Sequence, residues 1–300
     1  MSLFITSLNS GSNGNCYYIG NDREAVLVDA GISCRETEKR MKRLGLSMQT
    51  VKAIFVSHEH TDHIKGIPVI AKKYQLPVYI TTNTLSSSGG LELDAQLVIP
   101  FQAYTPMTIG ELTIIAFPKF HDAIDPHSFI IESKGIRIGV FTDIGAPCEH
   151  LVHHFQQCHA AFLEANYDEE MLEKGSYPWH LKNRIRGGQG HLSNRQALEL
   201  FMAHRPSFLS HLLLSHLSQN NNDPDLTREL FAPHAGETKI TIASRYEETP
   251  VYFIESAESL GPVSQPVIAA TAHPGGSPLA ATKAPRPKKP GPHQTQYSLF

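Results

Sequence analysis

The sequence has no C-x-x-C pair: its four cysteines, Cys16, Cys34, Cys148 and Cys158, are scattered through 300 residues. That excludes the disulfide framework of small secreted domains and reads as reduced thiols in a cytosolic protein. Long apolar runs are missing too. No window approaches eighteen uninterrupted apolar residues, so no membrane span is expected. The opening MSLFITSLNS has neither the basic start nor the sustained apolar run of a secretory signal, and the expected location is the cytoplasm. Excess charge is also scarce, with a formal net charge of −3. Acids are absent from residues 261–300, which carry Lys283, Arg286, Lys288 and Lys289, so the first 260 residues are more acidic than the total implies. An acidic domain does not advertise nucleic-acid binding by net charge, but carboxylates that hold divalent cations would raise such a count. Histidine is what the chain has in quantity, with seventeen, and that is a compositional sign of metal chemistry.

Short β-rich runs open the chain: LFITSL, CYYIG and AVLVDAG, separated by NSGSNGN and by NDRE. The loop SGSNGN, residues 10–15, reads either as a nest of N–H groups for a phosphate or as an ordinary hairpin connection. Ser33-Cys34-Arg35-Glu36 has capping-box spacing and predicts a helix reaching to about Leu46. Further strand-like runs, from VKAIFVS to PVYFIE, interleave with helical stretches that include 147–157, 168–174 and 193–204. The interleaving predicts an α/β fold of two face-to-face sheets with helices outside, an αββα sandwich, over residues 1–258. Residues 259–300 change character. Eight prolines fall between Pro262 and Pro292 among small and basic residues, with no apolar periodicity, which predicts a disordered tail.

The stretch FVSHEHTDHIKG, residues 55–66, sends an apolar strand straight into His58, His60, Asp62 and His63. Four such groups in six residues would repel one another and need desolvation unless a cation held them. His58 and His60, two apart in extended chain, can point the same way and share one metal, with Asp62 and His63 turned toward a second. Asp143 ends the strand IRIGVFTD, where a buried carboxylate needs a cationic partner, although a helix cap ahead of Pro147 is the alternative. His191 follows a Gly-rich turn and precedes a helix capped by Ser193 or Asn194, a place where phosphate is welcome; it could also merely fill the turn. Trp179 with Lys182, Arg184 and Arg186 combines a stacking surface with phosphate partners, or forms an amphipathic helix anchored by Trp. His150, His153, His154 and His159 look like exposed surface.

His-x-His-x-Asp-His after a strand resembles the metallo-β-lactamase superfamily, whose fold is the αββα sandwich. HDAIDPHSF (121–129), FTDIG (141–145), YPWHLKNRI (177–185), GHLSN (190–194) and HLSQNN (216–221) resemble, in order, the YycJ family, also called WalJ or VicX. The resemblance spans roughly residues 1–255. It implies two divalent metal ions, zinc or manganese: His58, His60 and His121 hold one, Asp62, His63 and His216 the other, and Asp143 bridges them. His121 is preferred to His127 by the family pattern, and HLSQNN selects His216 over His211. Asp29, ending AVLVDAG, matches a position that supports the metal-binding loop without ligating. His191 resembles the histidine of GH-x-S nucleases that contacts the scissile phosphate or protonates the leaving oxygen, so Asp62 and His191 are the expected catalytic residues. Many family members carry His where this chain has Tyr167, so no role carries over there, and Asn166 is a weak substrate contact.

The family resemblance implies a 5′→3′ exonuclease acting on DNA in replication or repair. The last residues then gain a meaning. QYSLF, with Gln296, Leu299 and Phe300, is similar to the short peptide that binds the DNA polymerase sliding clamp, with the Pro-rich segment as a leash. A hydrolase of a small phosphodiester or thioester and a non-catalytic regulator are the competing readings.

Overall fold

The computed structural model describes residues 2–255. The expected boundary near residue 258, the Pro-rich segment and Gln296, Leu299 and Phe300 lie outside the described residues. The first sheet comprises β1 (Leu3–Asn9), β2 (Cys16–Gly20), β3 (Ala25–Val28), β4 (Val51–Phe55), β5 (Val78–Ile80) and β6 (Val98–Pro100), joined at one edge by β14 (Tyr252–Ile254). Its spatial order is β14-β1-β2-β3-β4-β5-β6. The second sheet comprises β7 (Met107–Ile109), β8 (Leu112–Pro118), β9 (His127–Ser133), β10 (Ile136–Phe141), β11 (Ala160–Glu164), β12 (His211–Ser215) and β13 (Lys239–Ile242). Its order is β13-β12-β11-β10-β9-β8-β7. Each sheet is antiparallel in one half and parallel in the other: β14 to β3 and β7 to β10 are antiparallel, while β3 to β6 and β10 to β13 are parallel.

Alternation along the strands builds the layers. Val26 and Val28 of β3 face the space between the sheets with Phe55, Phe129, Phe162 and Leu213, whereas Leu27 faces outward. Strands buried on both faces read as continuous apolar runs, which is why AVLV and HLLLS show no polar alternation. The outer face of the first sheet packs under α1 (Cys34–Arg43), α2 (Thr61–Ile64), α3 (Ile67–Tyr74) and α4 (Thr82–Ser87). The second is covered by α5 (Glu149–Phe155), α8 (Asn194–His204) and α9 (Pro224–Phe231), with α6 (Glu169–Lys174) and α7 (Trp179–Arg186) inserted between β11 and α8. The fold is the expected αββα sandwich. Among the described residues no helix is long and apolar enough to cross a membrane.

Local chemistry shifts some boundaries. The Ser33 side chain accepts from the Glu36 N–H, but the Glu36 carboxylate turns to Arg40, so only half of the predicted capping box forms. The helix stops at Arg43 because Gly45 takes a left-handed φ of 72°. The complete box belongs to Ser193 and Gln196 at the start of α8. Helix α5 is shorter than 147–157, with Cys148 as its cap. His154 corrects the expectation of four exposed histidines: it shares the buried face of α5 with Leu151 and Phe155 and its ring lies 4.4 Å from that of Phe117. His159 is half-buried, while His150 and His153 are exposed.

Phe55 sits at the centre of the inter-sheet core, fully buried, with ring centroids 4.5 Å from Tyr79 and 5.8 Å from Phe129. Phe55→Ala is expected to lower the unfolding free energy by about 3–5 kcal/mol, read by chemical denaturation.

Candidate metal centre

Strands β3, β4, β10, β11 and β12 all end toward one region, and each end delivers a polar side chain. Asp29 follows β3, Asp143 lies two residues past β10, and His216 follows β12. All three adopt left-handed backbone, with φ of 59°, 55° and 58°. That conformation turns the chain sharply at the strand end, and non-glycine residues take it only when their surroundings over-determine it. Past β4, the segment from Val56 to His60 carries the first histidines into the same space, and α2 turns Asp62 and His63 back over it.

The donors form two groups. His58 Nε2 lies 3.0 Å from His60 Nδ1, and His121 Nε2 lies 3.3 Å from the same atom. Asp62 Oδ2 is 3.5 Å from His63 Nε2 and 3.4 Å from His216 Nε2. Asp143 stands between the groups: 3.3 Å from His63 Nε2, 3.4 Å from His216 Nε2 and 3.9 Å from His121 Nε2. Each set, His58/His60/His121 and Asp62/His63/His216, offers ligand atoms within 4.8 Å of one another. His127 lies apart, its ring against Phe101 and its Nδ1 on the Asp125 carbonyl. His211 is also remote. It begins β12 while His216 follows its end, so the length of the strand separates the pair.

A cation fits this arrangement. Two ring nitrogens converge at 3.0 and 3.3 Å on His60 Nδ1, which has a single lone pair or a single proton to offer them both. Asp143 Oδ2 is buried without a hydrogen-bond partner, an atom whose desolvation needs a positive charge. Counting the protein's own groups, burial opposes ionisation of Asp143, but His216 and His63 outweigh it and hold the carboxyl well below its usual range. Burial first, and then the neighbouring positive charges of His63 and Lys119, drive His58 well below the ordinary imidazole value, which keeps it neutral as a ligand must be. Imidazole with carboxylate suits zinc or manganese.

Supporting bonds orient the donors. Asp29 accepts from the Ser57 N–H and hydroxyl, each at 2.8 Å, and lies 2.7 Å from His63 Nδ1, which aims His63 Nε2 at the centre. His121 Nδ1 is held by the Gly190 carbonyl at 3.0 Å. Glu164, the last residue of β11, was not singled out from the sequence. It is fully buried, accepts from Ile144 N–H at 2.6 Å and Leu192 N–H at 3.2 Å, and lies 2.7 Å from His191 Nδ1. Burial works against its ionisation, but His191 and His216 hold its pKa down at about 2. The available signal was positional: like Asp29 and Asp143, Glu164 is an acid at the end of an apolar strand. Lys119 was missed as well; it is buried beside the centre and donates to the Thr142 carbonyl at 2.7 Å.

The substrate-side expectations fare unevenly. His191 lies two residues before the α8 cap and its ring stacks on His216 at 5.2 Å. Trp179 is 63% exposed, with the Arg186 guanidinium 4.5 Å from its ring. Arg184 is exposed and pairs with Asp122, next to His121. Lys182 is a correction: it is buried, and its ammonium donates to the Glu173 carbonyl. Asn166 is another. Its amide donates to the His216 carbonyl at 2.7 Å and lies 3.0 Å from His216 Nδ1, so it positions that histidine. The loop 10–15 is a connection, because the N–H groups of Ser10, Gly11, Gly14 and Asn15 are donated to Ser244 O, Asn15 Oδ1, Gly11 O and Asp62 O.

The sequence pattern described as "Beta-lactamase superfamily domain" matches residues 24–216, the span from β3 to His216. The chain belongs to the metallo-β-lactamase superfamily. It is 35% identical over 232 residues to Exodeoxyribonuclease YycJ of Bacillus anthracis, covering 76% of this chain and 87% of that one. It is 31% identical over 223 residues to Exodeoxyribonuclease WalJ of Streptococcus pneumoniae, covering 73% and 83%. The metallo-β-lactamase fold protein YhfI of Bacillus subtilis superimposes with a TM-score of 0.65 at 17% identity, over 84% of this chain and 100% of that one. As a member of this superfamily the chain is a metal-dependent hydrolase.

Because ligand binding to the folded state stabilises it, removal of divalent cations by a chelator is expected to lower the melting temperature. Zinc or manganese should restore it. A melting temperature indifferent to both treatments would show that the cluster holds no cation.

Proposed function

We propose that the protein is a 5′→3′ exodeoxyribonuclease that uses two divalent cations, zinc or manganese. His58, His60 and His121 hold one, Asp62, His63 and His216 hold the other, and Asp143 is shared. Bound cations supply a clamp on phosphate oxygens and a way to make water nucleophilic at neutral pH. The observation that carries the reading is His191 beside this cluster, with its Nδ1 2.7 Å from the buried Glu164 carboxylate. Glu164 accepts from Nδ1–H and fixes the ring, so a His191 that carries a second proton on Nε2 can give that proton to the leaving oxygen of a phosphodiester and return to neutral imidazole. Such general acid help is worth about 10²–10⁴ in rate. His191 is the more exposed of the two, at 19% for its side chain against 0% for Glu164, as a group that meets substrate must be.

DNA as the substrate is supported by the YycJ and WalJ relatives and by the surface beside the centre. Trp179 with Arg186 on its face forms a stacking platform on the same helix as Arg184, whose guanidinium pairs with Asp122 next to His121. On this reading Gln296, Leu299 and Phe300 bind a sliding clamp, which would raise the concentration of the enzyme at DNA.

With Mn²⁺ and linear duplex DNA labelled at one end, the protein is expected to release short 5′-labelled products promptly. Asp62→Asn should abolish release, and His191→Ala should lower kcat by about 10²–10⁴ while metal content stays unchanged. Intact DNA under these conditions would overturn the nuclease reading. A peptide of residues 290–300 should bind the clamp, and Leu299→Ala or Phe300→Ala should abolish binding; a peptide without affinity removes that partner.

A further inference from the structure

Beneath the cluster runs a chain of buried hydrogen bonds that links two of its ligands, 154 residues apart in sequence. The His216 N–H donates to Ser10 Oγ at 2.7 Å, and Ser10 Oγ lies 2.8 Å from the Tyr17 hydroxyl. Tyr17 O–H donates to Asn15 Oδ1 at 3.1 Å, and Asn15 Nδ2 donates to Asp62 Oδ2 at 3.1 Å. Ser10, Asn15 and Tyr17 are each no more than 1% exposed.

The direction of every bond in this chain is determined. Asn15 Oδ1 also accepts from the Gly11 N–H at 3.0 Å, so two donors commit the oxygen and leave only the amide nitrogen to face Asp62. A flipped amide would set its oxygen against the Asp62 carboxylate. Because Tyr17 spends its proton on Asn15, Ser10 must give its own proton to Tyr17, which leaves the Ser10 lone pair for the His216 N–H. Burial holds the Tyr17 hydroxyl protonated. Tyr17 belongs to β2 of the first sheet, yet its ring packs 4.9 Å from Phe162 of β11 in the second. Its hydroxyl therefore stands where the two sheets meet under the centre. The bonds of His58 and His121 run elsewhere, to Ser57 and to Gly190.

We infer that the Ser10–Tyr17–Asn15 relay is a positioning device for one subsite, Asp62/His63/His216, and leaves the His58/His60/His121 subsite untouched. It sets the carboxylate of Asp62 from the first sheet and the left-handed backbone of His216 from the second at a common spacing. Tyr17, Ser10 and Asn15 are positioning residues; none of them holds the metal or meets substrate. The inference rests on the two-cation reading given above.

Metal-stripped protein titrated calorimetrically with Zn²⁺, with bound metal counted after gel filtration, tests it. The wild type is expected to take up two ions. Tyr17→Phe and, from the other end of the relay, Ser10→Ala should keep the first affinity and weaken the second by about 10–100-fold. Tyr18→Phe is the control, since it removes a buried hydroxyl that faces Thr50 on the outer side of the same strand; both affinities should persist. A Tyr17→Phe protein that binds both ions as the wild type does, or weakens both equally, overturns the relay while leaving the two-cation reading intact. A wild type that takes up a single ion overturns the two-cation reading and this inference with it.

Discussion

Unsatisfied lone pairs gathered in one buried place are the constraint on which the rest of the molecule depends. Ring nitrogens of His58, His60 and His121 face one another, and the Asp143 carboxylate joins them with one buried oxygen that has no hydrogen-bond partner. Such a cluster is expensive in the absence of positive charge, since each buried polar group without a partner costs about 1–3 kcal/mol. Left-handed backbone at Asp29, Asp143 and His216 adds strain of about 1–3 kcal/mol each. A fold that keeps these features must recover their cost in the sandwich core and in bound cations.

The two sheets share the task unequally. The first supplies His58, His60, Asp62 and His63 from a single loop and short helix, with Asp29 behind them. The second supplies His121, Asp143, Glu164 and His216 from separate connections and strand ends. Parallel strands β10, β11 and β12 lie side by side, so Asp143, Glu164 and His216 are brought together by sheet pairing alone. Helix α7 and the glycines after it then lie over the second sheet's contribution, through the Gly190 carbonyl on His121 and the Ile185 carbonyl on the His191 N–H.

Legibility followed the same division. The residues of the first sheet are adjacent in sequence, so HEHTDH announced them. The sandwich was legible because strands buried on both faces leave continuous apolar runs between amphipathic helices. Glu164 was not legible, because one acid at the end of AAFLE has no sequence neighbour that marks it; its partners come from 20 and 28 residues away. Lys182 looked like a phosphate ligand because its neighbours are basic, yet helix phase turns its stem inward to the Glu173 carbonyl. Asn166 looked like a weak substrate contact until the end of β12 was placed beside it.

By itself, then, the sequence determined the fold class, the strand-to-loop histidine motif and the chemistry of its side chains, because these depend on periodicity and on residues close along the chain. Tertiary structure alone decided that Glu164 joins the histidines, which of the basic residues remain exposed, and that Ser10, Tyr17 and Asn15 connect Asp62 to His216. The physical reason is that hydrogen bonds and ligand geometry are set at distances near 3 Å. Only the pairing of strands and the packing of one sheet on the other bring remote residues that close.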